Sequence, residues 1–330
     1  MKMENMNDWK TEYYRLLKEG GHKNYSEALR IKKENLPKFL YRYRNFDKNK
    51  LNRIRREIYG FIYLSKANCF NDPYDTRSVL NKGKREFIEN LKSIYEKSLT
   101  NHFSDAEMES IFVKENWFDE LLVQGLIKEK ITKNEAIKNK DIIKEIINNE
   151  LIRLNNEFNK IMEEQIRISC FTERWNNLPM WYHYADKFKG YCIEYNTLQI
   201  ENILYVNRLL PVRYVEEYRD IIKDFIQIKR DNGILQHLLD EYATTKLKDW
   251  NYENEWRLVL TLGMVYMSEQ DVPEIVKEKG PELFFVKSSR ILIGAEMDKE
   301  SQEVLEHECR KAGVKIVHTE ISDDGLIISG

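Results

Sequence analysis

Proline and glycine are scarce in this chain, six and thirteen among 330 residues, and cysteine is scarcer at four. No repeat period and no low-complexity linker interrupts it. Cys69, Cys170, Cys192 and Cys309 stand far apart, without the close pairs that zinc sites or thioredoxin-like chemistry use, so they read as reduced core thiols of a cytoplasmic protein. No run of about 18 apolar residues occurs, and MKMENMNDWK has no apolar segment after its charges, so neither a membrane span nor a standard signal peptide is expected. Glycine-rich phosphate loops are missing too. Neither G-x-G-x-x-G nor GxxxxGK[ST] is present, which argues against classical dinucleotide folds and P-loop enzymes. Charge of one sign is also lacking: 53 Lys and Arg balance 55 Asp and Glu to a net −2. Such a surface has no global field to draw in nucleic acid or anionic membrane.

What is present is enough apolar residue, 42%, for a sizeable core. Residues 1–35 read as an N-terminal helical extension, with Trp9, Tyr13, Leu16 and Leu17 on one stripe, a stop at Gly20-Gly21, and Tyr25, Ala28 and Ile31 on a second. From 36 to 330 the pattern is that of one α+β domain with a mostly antiparallel central sheet. A helical insertion interrupts it at about 80–165, where Phe87 to Leu99 and Ile142 to Ile161 recur at helical spacing and Ser104 with Glu107 makes a capping box. FLYRYR is a strand with Arg42 and Arg44 on one side, IRISCFTER another, and Tyr191 to Tyr195 a third. Pro179 opens a helix expected to run through Phe188 to Gly190, with His183 and Asp186 three apart on one side. Helical runs at 221–228 and 235–242 follow. Ile291 to Gly294, a helix to Gly313 and Val314 to Thr319 form a strand-helix-strand unit closing the edge of the fold.

KDWNYENEWRLVLTL, residues 248–262, is the stretch that organises the chemistry. Period-two spacing puts Glu253, Glu255 and Arg257 on one face of a strand and Trp256, Leu258 and Leu260 on the other. Aromatic bulk from Trp250, Tyr252 and Trp256 presses around two carboxylates. An edge strand charged against aggregation would look the same in isolation, and Arg257 could simply neutralise Glu255. FNDPYD makes a turn in which Asn71 or Asp72 bonds the backbone ahead of Pro73, leaving open whether Asp72 and Asp75 also do chemistry. His183 reads first as a satisfied structural imidazole and only second as a catalyst.

LYRYR (40–44), FNDPYD (70–75), SCFTE with MWYHYADKFKGYCIEY (169–195) and YENEWR (252–257), in that order, resemble an uncharacterised bacterial family, the domain of unknown function twenty-nine seventy-one. The order Arg42 or Arg44, Ser169, then Glu253-x-Glu255 also resembles the ADP-ribosyltransferase superfamily, with paired glutamates like those of arginine-modifying members. SCFT departs from a clean Ser-Thr-Ser, and the insertion separates the first two motifs widely. That resemblance implies NAD as substrate, no metal, and an ADP-ribosyltransferase or NAD glycohydrolase acting as a toxin or antiphage effector on a protein or nucleic-acid target. Glu255 would stabilise oxocarbenium character on the ribose, with Glu253 and His183 as further catalytic candidates. Arg42 or Arg44 would clamp the pyrophosphate, Arg257 would join them, Ser169 would hold the ribose, and Tyr182 or Tyr184 would stack on nicotinamide. Glu255→Gln is then expected to abolish NAD consumption and leave the fold intact. Two other classes compete. Asp72, Asp75, Glu253 and Glu255 could hold magnesium in a nuclease with His183 as base, or the same charges could be the ionic network of a non-catalytic sensor, which would have no well-formed cavity where the motifs converge.

Overall fold

A computed structural model describes residues 8–78, 103–218, 234–268, 282–323 and 325–329. The helical runs expected at 87–99 and 221–228 lie outside the described residues. The chain divides into two compact units: Met1–Thr76, Met162–Glu217 and Leu239–Gly330 in the first, Arg77–Ile161 and Tyr218–Leu238 in the second.

The first unit is α+β. Among the described residues its main sheet has nine strands. They include β1 (Phe39–Arg44), β4 (Ile166–Thr172), β5 (Tyr191–Asn196), β6 (Leu209–Pro211), β9 (Glu255–Thr261), β11 (Ser288–Ile293), β12 (Lys315–Ser322) and β13 (Gly325–Ser329). Their order is β13-β12-β11-β5-β1-β4-β9-β6, with the two-residue β3 (Ser65–Lys66) added to β4. Every pairing is antiparallel except β11 with β12. The parallel pair is the expected strand-helix-strand unit, whose helix Lys299–Ala312 is closed by Gly313 at φ 63. It does not form the edge, because β13 turns back on β12 through Gly325 at φ 119.

Alternation sorts the sheet into two faces. On one, Leu40, Ile193, Phe171, Trp256, Leu258 and Ile291 pack with Ile54 and Ile58 of the helix Leu51–Ile58 and with Leu305. Each such side chain contributes about 1.5–3 kcal/mol on burial. On the other, Tyr41, Tyr43, Cys192 and Leu292 pack around Trp181. The N-terminal helices Asp8–Glu19 and His22–Asn35 belong to this unit: Trp9 stacks on Trp256 at 5.9 Å, and Tyr14 Oη donates to Pro211 O at 2.6 Å.

The strands around β4 are not evenly joined. β1 pairs with β5 over six positions and β4 with β9 over seven, but β1 and β4 share one facing pair, Tyr41 and Thr172. Beyond it they part into a fork. The helix Leu178–Tyr184 ends four residues before the expected Phe188, since Asp186, Lys187 and Phe188 take left-handed φ values of 46°, 53° and 67°. Each costs about 1–2 kcal/mol. Close packing holds them there: a Cβ on Gly294 would sit 2.0 Å from Phe188 O, one on Gly190 2.1 Å from Arg44 O, and the Phe188 ring stacks on Trp181 at 6.1 Å. Asp186 therefore lies past the helix and shares no helical side with His183.

The second unit is helical in its described part. Ser104 and Glu107 form the expected capping box for Asp105–Phe112, and Met108, Phe112, Trp117 and Phe118 pack into a core with the helix Trp117–Lys128. In the helix Lys133–Gln165 the expected apolar stripe is uneven: Leu151 and Phe158 are buried, but Ile142 and Ile146 are exposed. Among the described residues no helix is long and apolar enough to cross a membrane.

Candidate functional site

Residues 41–44 of β1 and 168–172 of β4 all line one cavity of about 260 Å³. Along an intact ladder only alternate side chains look to one side, so consecutive lining residues mean that the opening runs through the sheet, in the fork itself. Ser65, Cys69 to Asp72, Asp75, Met180, Tyr184, Lys246, Trp250, Glu253 and Glu255 complete the lining. The cavity has two ends of opposite charge.

At the acid end Glu255 and Arg257 project from one face of β9, as their spacing dictates. Arg257 is fully buried, and its five donors are all used. Nε and Nη2 donate to Glu255 Oε1 and Oε2 at 2.9 Å each, Nη1 and Nη2 to Asp75 Oδ1 and Oδ2 at 2.7 Å each, and Nη1 to Ala243 O at 2.8 Å. Asp75 arrives through the FNDPYD turn, in which the Tyr74 N–H donates to Asp72 Oδ1 at 2.9 Å. Glu253 is not on the strand. It ends the 3-10 helix Lys248–Glu253, and Asn254 then takes a left-handed φ of 44°, a conformation Asn tolerates better than most residues. That turn swings Glu253 to the side of Glu255. Its Oε1 accepts from Tyr184 Oη at 2.7 Å and its Oε2 from Lys246 Nζ at 2.6 Å. Lys246, buried over the Trp250 ring, also lies 3.6 Å from Glu255 and 3.7 Å from Asp75.

Two cations thus meet three carboxylates, leaving one negative charge that is shared unequally. Burial would raise the Glu255 carboxyl, but Arg257 and then Lys246 outweigh it and hold it at about 2. Glu253 is raised, by burial first and the Glu255 charge next. Neighbouring acids pushed apart in this way divide into a permanent anion and a proton acceptor.

At the basic end Arg42 and Arg44 face the cavity beside Ser169. Arg44 Nε pairs with Glu57 Oε1 at 2.9 Å, and Glu57 also accepts from Tyr191 Oη at 2.7 Å. Arg42 has no ion pair among the described residues. It is 7% exposed, lies 5.4 Å over the Phe171 ring, and burial together with Arg44 lowers its guanidinium to about 10. Its Nη1 and the Ser169 Oγ are buried with no hydrogen-bond partner among the described residues. A buried polar group without a partner costs about 1–3 kcal/mol. Arg44 Nε, although ion-paired with Glu57, also lacks a hydrogen bond among the described residues, and three such donors beside one cavity could bond an oxygen-rich anion.

The structure therefore brings Arg42, Arg44, Asn71, Asp72, Asp75, Ser169, Tyr184, Glu253 and Glu255 together. It does not bring His183 or Tyr182, whose side chains are exposed on the helix Leu178–Tyr184 and stack edge-on at 5.4 Å, because Trp181 and Ala185 take the buried side. Arg257 stands behind Glu255 with no donor to spare for a cofactor. The aromatic shield also differs from expectation: Trp256 points to the opposite face, where its Nε1–H donates to Glu173 Oε1 at 2.7 Å, and Trp250 covers Lys246. Sequence reasoning missed Lys246 and Glu57, each of which reads as an ordinary charged residue in a helical or coil context. Of the carboxylates in the nuclease reading, Asp75, Glu253 and Glu255 are bonded to Arg257 or Lys246 and Asp72 accepts from the Tyr74 N–H, and among the described residues no group of three metal-type ligands converges.

No curated protein and no solved structure matches the chain, and nothing in these comparisons supports the resemblance to ADP-ribosyltransferases, which rests on motif order. Residues 180–258, which carry Tyr184, Lys246, Glu253, Glu255 and Arg257, match a family described as a protein of unknown function (DUF2971).

Proposed function

We propose that the fork is the active site of an enzyme that breaks the bond between a base and the ribose of a nucleotide, with NAD as the candidate substrate. One observation carries the reading: a single cavity has an unpaired buried guanidinium, Arg42, at one end and a carboxylate cluster with one excess negative charge at the other. A nucleotide matches that polarity. Its phosphate is anionic, and its C1′ becomes cationic as the base departs.

In the reaction the C1′–N bond breaks and nicotinamide leaves as a neutral molecule with the electron pair. Water or an acceptor hydroxyl forms the new bond at C1′, and its proton passes to Glu253. A carboxylate of raised proton affinity suits a base working near neutral pH, and Tyr184 and Lys246 hold its two oxygens in place. The fixed negative charge of Asp75 and Glu255, oriented by Arg257, lowers the energy of the oxocarbenium-like transition state. Glu255 is the field and Glu253 the base, a division of roles that the two glutamates' spacing alone does not reveal.

Incubating the purified chain with NAD and resolving free nicotinamide by chromatography tests this. Wild type is expected to release nicotinamide and Glu253→Gln to lose about a hundredfold or more of the rate, the usual scale for a general base. A wild-type protein that leaves NAD intact, or a Glu253→Gln variant as fast as wild type, removes the proposal.

A further inference from the structure

How much of a dinucleotide the fork accepts follows from its volume, and which way round from its charge. Cavities that enclose drug-sized ligands begin at about 300 Å³, and this one is about 260 Å³. NAD is two nucleotides joined through a pyrophosphate, more than a cavity of this volume encloses. Charge fixes which end of the cavity takes the phosphate. Arg42 and Arg44 are opposed by Glu57, which leaves one positive charge at the basic end. A phosphate therefore belongs at this end, since its charge would have no partner beside the carboxylates. The donors match as well: Arg42 Nη1, Arg44 Nε and Ser169 Oγ are the buried side-chain atoms of the cavity wall with unmet hydrogen bonds among the described residues, a cluster that the oxygens of one phosphoryl group would fill.

We infer that the fork recognises a single ribosyl 5′-phosphate unit with its base, so that a mononucleotide is a complete substrate and the rest of a dinucleotide lies outside the mouth. The inference rests on the glycosidic-cleavage reading of the same site. Ribose sits between the two ends, with its phosphate against Arg42 and Ser169 and C1′ toward Glu253. For the mononucleotide the balance is simple. Water supplies the hydroxyl at C1′, nicotinamide carries away the bonding pair, and the remaining proton goes through Glu253 to solvent.

The test compares NAD, nicotinamide mononucleotide and nicotinamide riboside as substrates of the full chain, alongside calorimetric binding of ribose 5-phosphate. The expected result is mononucleotide turnover, as kcat/KM, within about tenfold of NAD, since atoms outside the cavity add little differential binding. Riboside should fall about a hundredfold or more below the mononucleotide, because it leaves Arg42 unpaired. Arg42→Met should erase that phosphate preference. Ser169→Ala, which loses no hydrogen bond among the described residues, should weaken ribose 5-phosphate binding by about tenfold without unfolding the protein. NAD consumed while the mononucleotide is untouched, or riboside turned over as fast as mononucleotide, overturns the inference and leaves the parent reading standing. If no substrate is cleaved but ribose 5-phosphate binds wild type and not Arg42→Met, the phosphate seat stands, and the substrate inference falls together with the chemistry. Absence of both cleavage and Arg42-dependent binding overturns both.

Discussion

Glu253→Gln and Glu255→Gln each remove one negative charge from adjoining positions, yet they are expected to move stability in opposite directions. Glu255 is held at about 2 against an ordinary 4.5, a difference that corresponds to about 3 kcal/mol of folded-state stabilisation. Removing one partner of a buried ion pair costs about 3–5 kcal/mol, so the two routes agree. That loss is a large part of the roughly 5–15 kcal/mol that holds a domain together. Glu253 is raised instead, so its ionised form opposes folding; Gln keeps an oxygen for Tyr184 or Lys246 and removes the excess charge. A gain of up to about 1 kcal/mol near neutral pH is the expectation, at the expense of activity. The signs with pH follow. Glu255 is depressed, so its contribution is present above its unfolded value and is lost as pH falls toward about 2. Glu253 is raised, so its contribution is complete below its unfolded value and disappears as pH rises through its folded one. Urea titrations followed by tryptophan fluorescence at about pH 5 and about pH 8 measure both. Glu255→Gln should unfold at lower urea at both values, and Glu253→Gln should gain on wild type at the higher one. Equal shifts in the same direction, or a Glu255→Gln protein as stable as wild type, would refute the assignment of charge within the cluster. Glu255→Gln is therefore no clean probe of catalysis, contrary to what the sequence suggests.

Arg42→Met should raise the thermal midpoint, by the equivalent of about 1–3 kcal/mol, because burial and Arg44 lower this guanidinium to about 10 and Glu57, which is paired with Arg44, offsets only part of that; stability gained with nicotinamide release lost is the signature to look for. His183→Ala should leave turnover within about twofold of wild type, since an exposed ring outside the cavity has no transition-state contact to lose. Gly190→Ala should cost about 3 kcal/mol or more in chemical denaturation, or abolish folding, because its Cβ would meet Arg44 O at 2.1 Å and would push β1 away from β5.

Strand alternation was legible because a half-buried sheet imposes period two: Arg42 with Arg44, Ser169 with Phe171 and Glu255 with Arg257 all fall on the sides their spacing requires. The convergence of those segments was suggested by their chemistry, a set of acids and guanidiniums with aromatics around them. Three features were not legible. Glu253 leaves the strand because Asn254 accepts a left-handed backbone, and period two counts on past such a turn without registering it. The helix before Gly190 stops early because main-chain approaches at Gly190 and Gly294 force three left-handed residues, a tertiary effect with no local code. Lys246 shows no pattern of its own. Its importance comes from Asp75, Glu253 and Glu255, three acids that reach it from two distant parts of the chain.

A void made by two diverging strands belongs to the main chain. Truncating a wall side chain would widen it, and swapping a wall charge would change what it holds, but neither would remove it while the vertex at Tyr41 and Thr172 and the ladders on either flank persist. Scaffold and selectivity are thereby separated: the hollow is inherited from strand pairing, and its preferences are written in a few replaceable groups on its rim.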